Sequence, residues 1–553
     1  MNSTPLPYLS LPAILKTTAD KFPQSPAFAF AGEKPLSYRE AYNSINALMA
    51  FLGKCRIKKN DKVAILSSNM PQWSLVYFAI TSMGAVAVPI LPDFSQSEVE
   101  NVISHSDSCL LFVADSLKHK VNAISPDIIK VRIEDFSISH GPEHIFYNPD
   151  ATYTEKLHVY EEDPAVIIYT SGTTGRSKGV MLSHRNVCFT AYASSLIQPI
   201  NENDRFLSVL PLSHTYENTL GLILPVMYGA SVWYLHKPPT APVLLPAMAD
   251  VKPTLMLTVP LIIEKVYFNK ILPAFNASAF IRFLYGISFF RKMLNRAAGK
   301  KLYKTFGGHL KFFGIGGAKL KPEVEKFLYE ARFPYAIGYG LTETSPLLAG
   351  SPTSAPVLES TGTAMYGVQL KINNPDPQTG IGEIWAKGDN VMMGYYKEPV
   401  LTSEVLTPDG WLKTGDLGKF DENNNLYIKS RLKNIILGAS GENIYPEEIE
   451  SVINKCKHVD ESLVVEKNGK LVAMVYFNME ELELKFEVFK RDFNIKKEEW
   501  TQKYNEFVDE KLLEIKEYVN SHVSKNSRLH FIMHQPEPFN KTATLKVRRY
   551  MYL

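Results

Sequence analysis

An apolar run, Ala165-Val166-Ile167-Ile168-Tyr169, gives way to ten residues drawn only from Thr, Ser, Gly, Arg and Lys, from Thr170 to Gly179. The β-branched and aromatic run has the composition of a buried strand. Beyond it, Gly172, Gly175 and Gly179 let the backbone turn several N–H groups toward one point. Thr170, Ser171, Thr173 and Thr174 add hydroxyl donors, and Lys178 adds a movable positive charge. Convergent donors and one cation make a receptacle for a polyanion such as the phosphates of a nucleotide. The order differs from a Walker A loop, which ends in Gly-Lys-Ser/Thr, because Ser177 precedes Lys178 and Gly179 follows it. A polar surface turn is the competing reading of such a composition.

From about Lys62 onward, apolar β-rich runs alternate with helical ones: Val63–Leu66, Ala85–Ile90, Leu110–Val113, Val166–Tyr169, Phe206–Val209, Ser231–Leu235 and Leu255–Val259. This alternation predicts an α/β fold, a large N-terminal domain of parallel-rich sheets covered by helices. Residues 9–60 read as helical, with short strands at Ala27–Phe30 and near Leu36. After about Gly350 shorter strands and turns predict a small β-rich subdomain over roughly 350–430. A strand, a helix over Pro446–Lys457, strands at Ser462–Val465 and Leu471–Phe477 and a charged helix from about Glu480 to Ser524 predict a small α+β C-terminal domain. The boundary falls near Ser430–Asn434, dividing 1–430 from 434–553.

The net charge of +3 advertises no nucleic acid. Cys55, Cys109, Cys188 and Cys456 are scattered, without metal-ligand spacing, and read as free thiols of a reducing compartment. Two long uncharged windows, Val63–Pro92 and Asn218–Leu235, are broken by Pro71, Gly84 and Pro89 and by Pro225 and Gly229. They read as strand–helix–strand and helix–strand rather than membrane spans. No signal-peptide layout opens the chain, so a cytoplasmic location is expected.

The ordered string TSGTTGRSKG closely resembles the phosphate loop of the adenylate-forming, AMP-binding superfamily, which includes acyl-CoA synthetases. The resemblance extends from about Val166 to Arg549. It implies ATP and Mg²⁺ as cofactors and assigns Gly316, Gly317 and Ala318 of GIGGAK to the border of an adenine ring. In GYGLTETSP it makes Tyr339 the adenine-stacking ring, Gly340 part of the same turn, Thr342 a phosphate contact and Glu343 the metal ligand. A single carboxylate suits magnesium, which takes most of its oxygens from phosphate and water. Asp416 of WLKTGDL and Arg431 of SRLKN are similar to the ribose and phosphate contacts. Lys433 falls on the family's hinge, about which a mobile C-terminal domain swings; Ser430 stands where most members have Gly or Asp. Gly441 and Glu442 of GASGENIYP look like the thiol-side loop. Lys546 of NKTATLKVRR sits where the adenylation lysine would neutralise the transition state. Leu545 before it, in place of Gly, is similar to the long-chain fatty acyl branch.

On the acyl side, PLSHTYE offers His214 and Tyr216, and TLMLTVPLIIEKVY, with Val259 and Pro260, is near to the VPxxxEKxY pattern of long-chain acyl-CoA synthetases. Independently of any family, residues 265–321 hold twelve basic residues and no acidic one, so the rest of the chain carries −9, the difference between +3 and +12. With Phe280, Phe283, Phe289 and Phe290 interleaved, the segment suits an anionic membrane surface, the phosphates of CoA, or a helix whose lysines merely lie along it. All three readings stay open. The resemblance implies an AMP-forming ligase that activates a fatty acid, expected to be long-chain, to acyl-AMP and passes it to CoA. Acyl carrier protein as acceptor, another carboxylic acid as substrate, and a silent lipid- or nucleotide-binding protein are the rivals.

Overall fold

The computed structural model describes residues 9–155, 157–170, 177–437, 443–467, 469–477, 497–524 (497–505 as backbone), 527–541 and 547–552. The chain divides into two compact units. The first holds Met1–Lys371, Trp385–Thr414 and Phe420–Tyr427; the second holds Ile372–Ile384, Gly415–Lys419 and Ile428–Leu553.

Two large sheets build the first unit. One runs in the order Thr363–Ala364, Leu347–Gly350, Tyr335–Gly340, Phe312–Ile315, Leu255–Thr258, Arg205–Leu207, Ser231–Tyr234, Pro26–Phe30, Leu36–Ser37. Its interior pairs are parallel, and only the edges reverse. The other runs Gly394–Tyr395, Lys178–Ser183, Pro164–Thr170, Val86–Ile90, Lys62–Leu66, Ser108–Val113, Ile129–Arg132, Ile138–His140. The expected α/β architecture is what forms, because strands buried on both faces must be apolar throughout.

Helix Pro71–Ser82 shows the principle. Pro71 and Trp73 to Ser82 are all buried, and the helix packs against strands of both sheets. A helix apolar all round has no face to give to water. Just before it, the Asn69 amide donates to Ser208 Oγ and the Leu210 carbonyl and accepts from the Leu212 N–H. The uncharged stretch after residue 217 forms a wide π-helical turn, Asn218–Ile223, then Leu224–Met227 and strand Ser231–Tyr234. Among the described residues no helix is long and apolar enough to cross a membrane.

In the second unit, helix Lys497–His522 buries Val508, Leu512, Ile515 and Val519, a single face at spacings of three and four. This face packs against Ile449, Ile453, Val464 and Val475. Strands Val459–Lys467, Lys470–Phe477 and Phe531–His534 form its sheet. Helix Pro446–Ile453 stops short of the expected Lys457, capped at Asn454 before the turn into the sheet.

Candidate active site

Strand Pro164–Thr170 folds back on Lys178–Ser183, with Thr170 opposite Lys178 and Tyr169 opposite Gly179. The two ends of the glycine loop therefore meet at the carboxyl end of a sheet strand, where α/β proteins place ligands. Ser171, Gly172, Thr173, Thr174 and Gly175 lie outside the described residues. Gly179 is needed for space: a Cβ there would stand 2.9 Å from Ile167 Cγ2 and 3.1 Å from the Tyr169 ring.

Ser183 then caps helix His184–Ile197, accepting from the Asn186 N–H while Asn186 Oδ1 accepts from the Ser183 N–H. The Asn186 amide also donates to the carbonyls of Asp389 (2.8 Å) and Val391 (2.9 Å). That grip sets strand Gly394–Tyr395 against Lys178–Ser183, with Tyr395 opposite Val180. Tyr395 consequently reaches two expected site residues at once. Lys178 Nζ lies 5.0 Å from its ring centroid, and its hydroxyl donates to Glu343 Oε1 at 2.9 Å. Burial, reinforced by the Glu343 charge, pushes the phenol far above its ordinary range, so it stays a donor.

Glu343 sits in the turn Thr342–Thr344 between antiparallel strands Tyr335–Gly340 and Leu347–Gly350. Only glycine fits at residue 340, since a Cβ would fall 1.7 Å from the Pro346 carbonyl oxygen. Thr344 Oγ1 donates to that same oxygen at 2.6 Å, and the Leu341 N–H at 2.9 Å. Asn390, fully buried, donates to the Thr344 and Leu347 carbonyls and accepts from Ser345 Oγ on its own carbonyl. The Met392 N–H closes on the Glu343 carbonyl at 2.9 Å. Thr342 and Glu343 are thus fixed by backbone, leaving their side chains partly exposed. Tyr339 is buried, paired with Ala349.

The described residues contain no group of three or more His, Cys, Asp and Glu able to hold a metal. Glu343, already oriented through Oε1, fits an ion that takes its remaining oxygens from phosphate and water, as magnesium does.

Strand Phe312–Ile315 takes in the first two residues of GIGGAK, Gly314 and Ile315. Gly314 and Ile315 belong to the ladder, pairing with Leu257 and Thr258 on one side and with Ala336 and Ile337 on the other. Glycine is needed for space, since a Cβ on Gly314 would lie 2.7 Å from the Phe312 ring and 2.9 Å from the Tyr216 hydroxyl, and one on Gly316 3.2 Å from the Tyr216 ring. The Tyr216 side chain therefore covers the side of both glycines on which a Cβ would stand. Gly317 takes a positive φ of 83° and has Val259 Cγ1 3.6 Å from its Cβ position; Ala318 follows. Tyr216 also borders an apolar pocket walled by Ile197, Phe206, Leu224, Leu257, Phe312 and Leu347. His214, Val259 and Pro260 are not among its lining residues. His214 Nδ1 instead accepts from the Tyr216 N–H, and Pro260 opens helix Pro260–Val266.

In the second unit Arg431 Nε meets Asp416 Oδ1 at 3.0 Å, the carboxylate nearly buried and the guanidinium half-exposed. Lys433 lies in the turn Leu432–Asn434. Both flanks of that turn are tied to one side chain: Ser430 Oγ donates to Glu447 Oε2 (2.5 Å) and Asn434 Nδ2 to Glu447 Oε1 (2.6 Å). Gly441, Glu442 and Lys546 lie outside the described residues.

Tyr395 is the residue that sequence reasoning missed. Its only local signal is a Gly-Tyr pair too short to read as a strand, and its role exists only through pairing with residues more than two hundred positions earlier.

Residues 15–396 match the model of the AMP-binding enzymes, and the chain belongs to that family. Among curated relatives, it is 30% identical over 489 residues to the peroxisomal long chain acyl-CoA synthetase 6 of Arabidopsis thaliana, covering 80% of this chain and 68% of that one. It is 28% identical over 507 residues to the long-chain-fatty-acid–CoA ligase heimdall of Drosophila melanogaster, covering 82% and 74%. Among solved structures, the O-succinylbenzoate coenzyme A synthetase of Bacillus subtilis in complex with ATP and magnesium superposes with a TM-score of 0.76. The match covers 97% of this chain and 98% of that one at 22% identity, a likeness of fold.

Proposed function

We propose that the protein is an AMP-forming acid–thiol ligase acting on a long-chain fatty acid and CoA. The observation that carries the chemistry is the line from Lys178 through Tyr395 to Glu343. A phosphate-loop cation and a metal-type carboxylate, 165 positions apart in the chain, are held to one another by a single side chain. The apolar cavity bordered by Tyr216 is the place offered to an acyl chain.

In the first half-reaction a carboxylate oxygen attacks the α-phosphorus of ATP. A C–O–P bond forms, the bond to the β-phosphate breaks, and pyrophosphate leaves. Glu343 would hold a magnesium ion, which would supply positive charge to the triphosphate. Lys178, with Thr170 and residues 171–175, binds the phosphates. Lys546 neutralises charge developing between carboxylate and α-phosphate. Tyr339, Gly316, Gly317 and Ala318 border the base, and Asp416 and Arg431 bind the ribose. In the second half-reaction the 434–553 domain swings about Lys433, Gly441 and Glu442 line the thiol path, and sulfur attacks the acyl carbon. AMP leaves with the bridging oxygen, and the thiol proton passes to solvent.

The relatives that carry this substrate class in their names support a fatty acid over another carboxylate. A hydroxamate-trapping screen from acetate through long-chain and aryl acids tests it: long-chain acids should trap best, and an aryl or short acid preferred over them would overturn the substrate. AMP release measured with CoA and with acyl carrier protein separates the two acceptors.

A further inference from the structure

Helices Ala279–Gly286 and Ser288–Thr305 form a hairpin that turns at Ile287. Its inner side is firmly seated. A Cβ on Gly299 would lie 2.6 Å from that of Ala331, so the second helix crosses Pro322–Ala331 at close range. Arg291 donates to both oxygens of Glu330, and Asn295 Nδ2 donates to the same carboxylate at 2.7 Å. Tyr285 stacks on Phe275 with ring centroids 4.6 Å apart and donates to Asn295.

The outer side has the opposite character. The first helix buries no residue. Phe280, Phe283 and Phe289 are 69%, 68% and 73% exposed, and Met293 is 52% exposed. Down the second helix, exposed Phe289, Lys292, Met293, Arg296, Lys300 and Lys304 follow one another at spacings of one, three or four, which places them on one stripe. Arg282 adds a further exposed cation, and no acid occurs anywhere from Lys265 to Lys321.

Three bare phenylalanines at one end of a hairpin are more apolar surface than solvent contact explains. A second copy of the chain is a poor cover, because a two-fold contact through this face would set the cationic stripe against itself. Aromatic side chains that enter an acyl boundary while lysines and arginines lie at headgroup level account for both halves of the surface together.

We propose that this hairpin docks the protein on an anionic lipid surface, with Phe280, Phe283 and Phe289 inserted and Lys292, Arg296, Lys300 and Lys304 on the headgroups. Its purpose, collecting an insoluble acid, rests on the function proposed above; its test does not. Full-length protein is sedimented with phosphatidylcholine vesicles and with vesicles containing roughly one-third phosphatidylglycerol. The wild type should bind the anionic vesicles alone and be released by salt. The Phe280→Ser/Phe283→Ser/Phe289→Ser and Lys292→Glu/Arg296→Glu/Lys300→Glu variants should each bind about tenfold more weakly or worse. Both should keep wild-type ATP-dependent hydroxamate formation from a soluble medium-chain acid. The proposal is overturned if the wild type stays in the supernatant, binds both vesicles equally, or matches either variant. It is also overturned if the serine variant instead dissolves a dimer or abolishes an RNA mobility shift while vesicle binding persists. Absence of ligase activity in a wild type that binds vesicles would count against the proposed function alone.

Discussion

Tyr395 holds Glu343 by a hydrogen bond to a charged acceptor while its ring lies beneath Lys178. Such a bond contributes on the order of 1.5–3 kcal/mol when buried. Tyr395→Phe keeps the ring and removes the bond, so the expected loss is roughly tenfold or more in kcat/KM, with a raised magnesium requirement. A magnesium titration of initial rates checks it, and an unchanged curve would assign the tyrosine to packing alone. Glu217 poses a different problem. It is buried, its Oε2 has no partner, and its carboxylate fills the space a Gly221 side chain would need. Burial pushes its pKa up to about 8, with a Ser208 hydrogen bond opposing. The folded value lies above the unfolded one, so the stability this proton contributes is whole below about pH 4.5 and is lost as pH rises toward 8. Glu217→Gln should therefore match the wild type at low pH and exceed it above pH 8, by on the order of 5 kcal/mol at most. Denaturation at both pH values measures this.

Elements were legible where composition alone decides their fate. The runs at 63–66, 85–90, 110–113 and 166–169 are strands because buried parallel strands leave no polar alternation. Legibility fails where a partner from elsewhere decides. The Phe312–Ile315 strand extends through Gly314 because Leu257–Thr258 and Ala336–Ile337 pair on either side of it, and Gly394–Tyr395 is a strand only beside Lys178–Ser183. Motif residues were legible as types, but the joining of Lys178 to Glu343 was not, since the residue that joins them carries no motif. In the second unit, helix Pro446–Ile453 is pinned by an element far from it in sequence. Arg549 Nη2 meets Glu450 at 2.8 Å and Nη1 donates to the Val464 carbonyl at 2.7 Å. Removing Arg549 leaves Glu450 buried without its cation. Arg549→Ala should cost about 3 kcal/mol locally, a roughly hundredfold loss of amide protection in that helix. Hydrogen exchange reads it directly, and unchanged protection would mean that the pair carries no net stability.

At the scale of the molecule, a ligase of this kind separates two half-reactions that share one substrate pocket but need different groups. Lys546→Ala should lose adenylation by about a thousandfold, as loss of transition-state charge stabilisation does, while thioester formation from supplied acyl-AMP largely survives. Equal loss in both assays would remove Lys546 from its assigned role. In the proposed first half-reaction the carboxylate itself attacks the α-phosphate of ATP. Palmitate carrying heavy oxygen in both carboxyl positions, turned over with ATP and CoA, tests this most directly by mass spectrometry of the products. A single heavy oxygen is expected in each AMP and none in pyrophosphate. Formation of ADP, or AMP without the label, would contradict it.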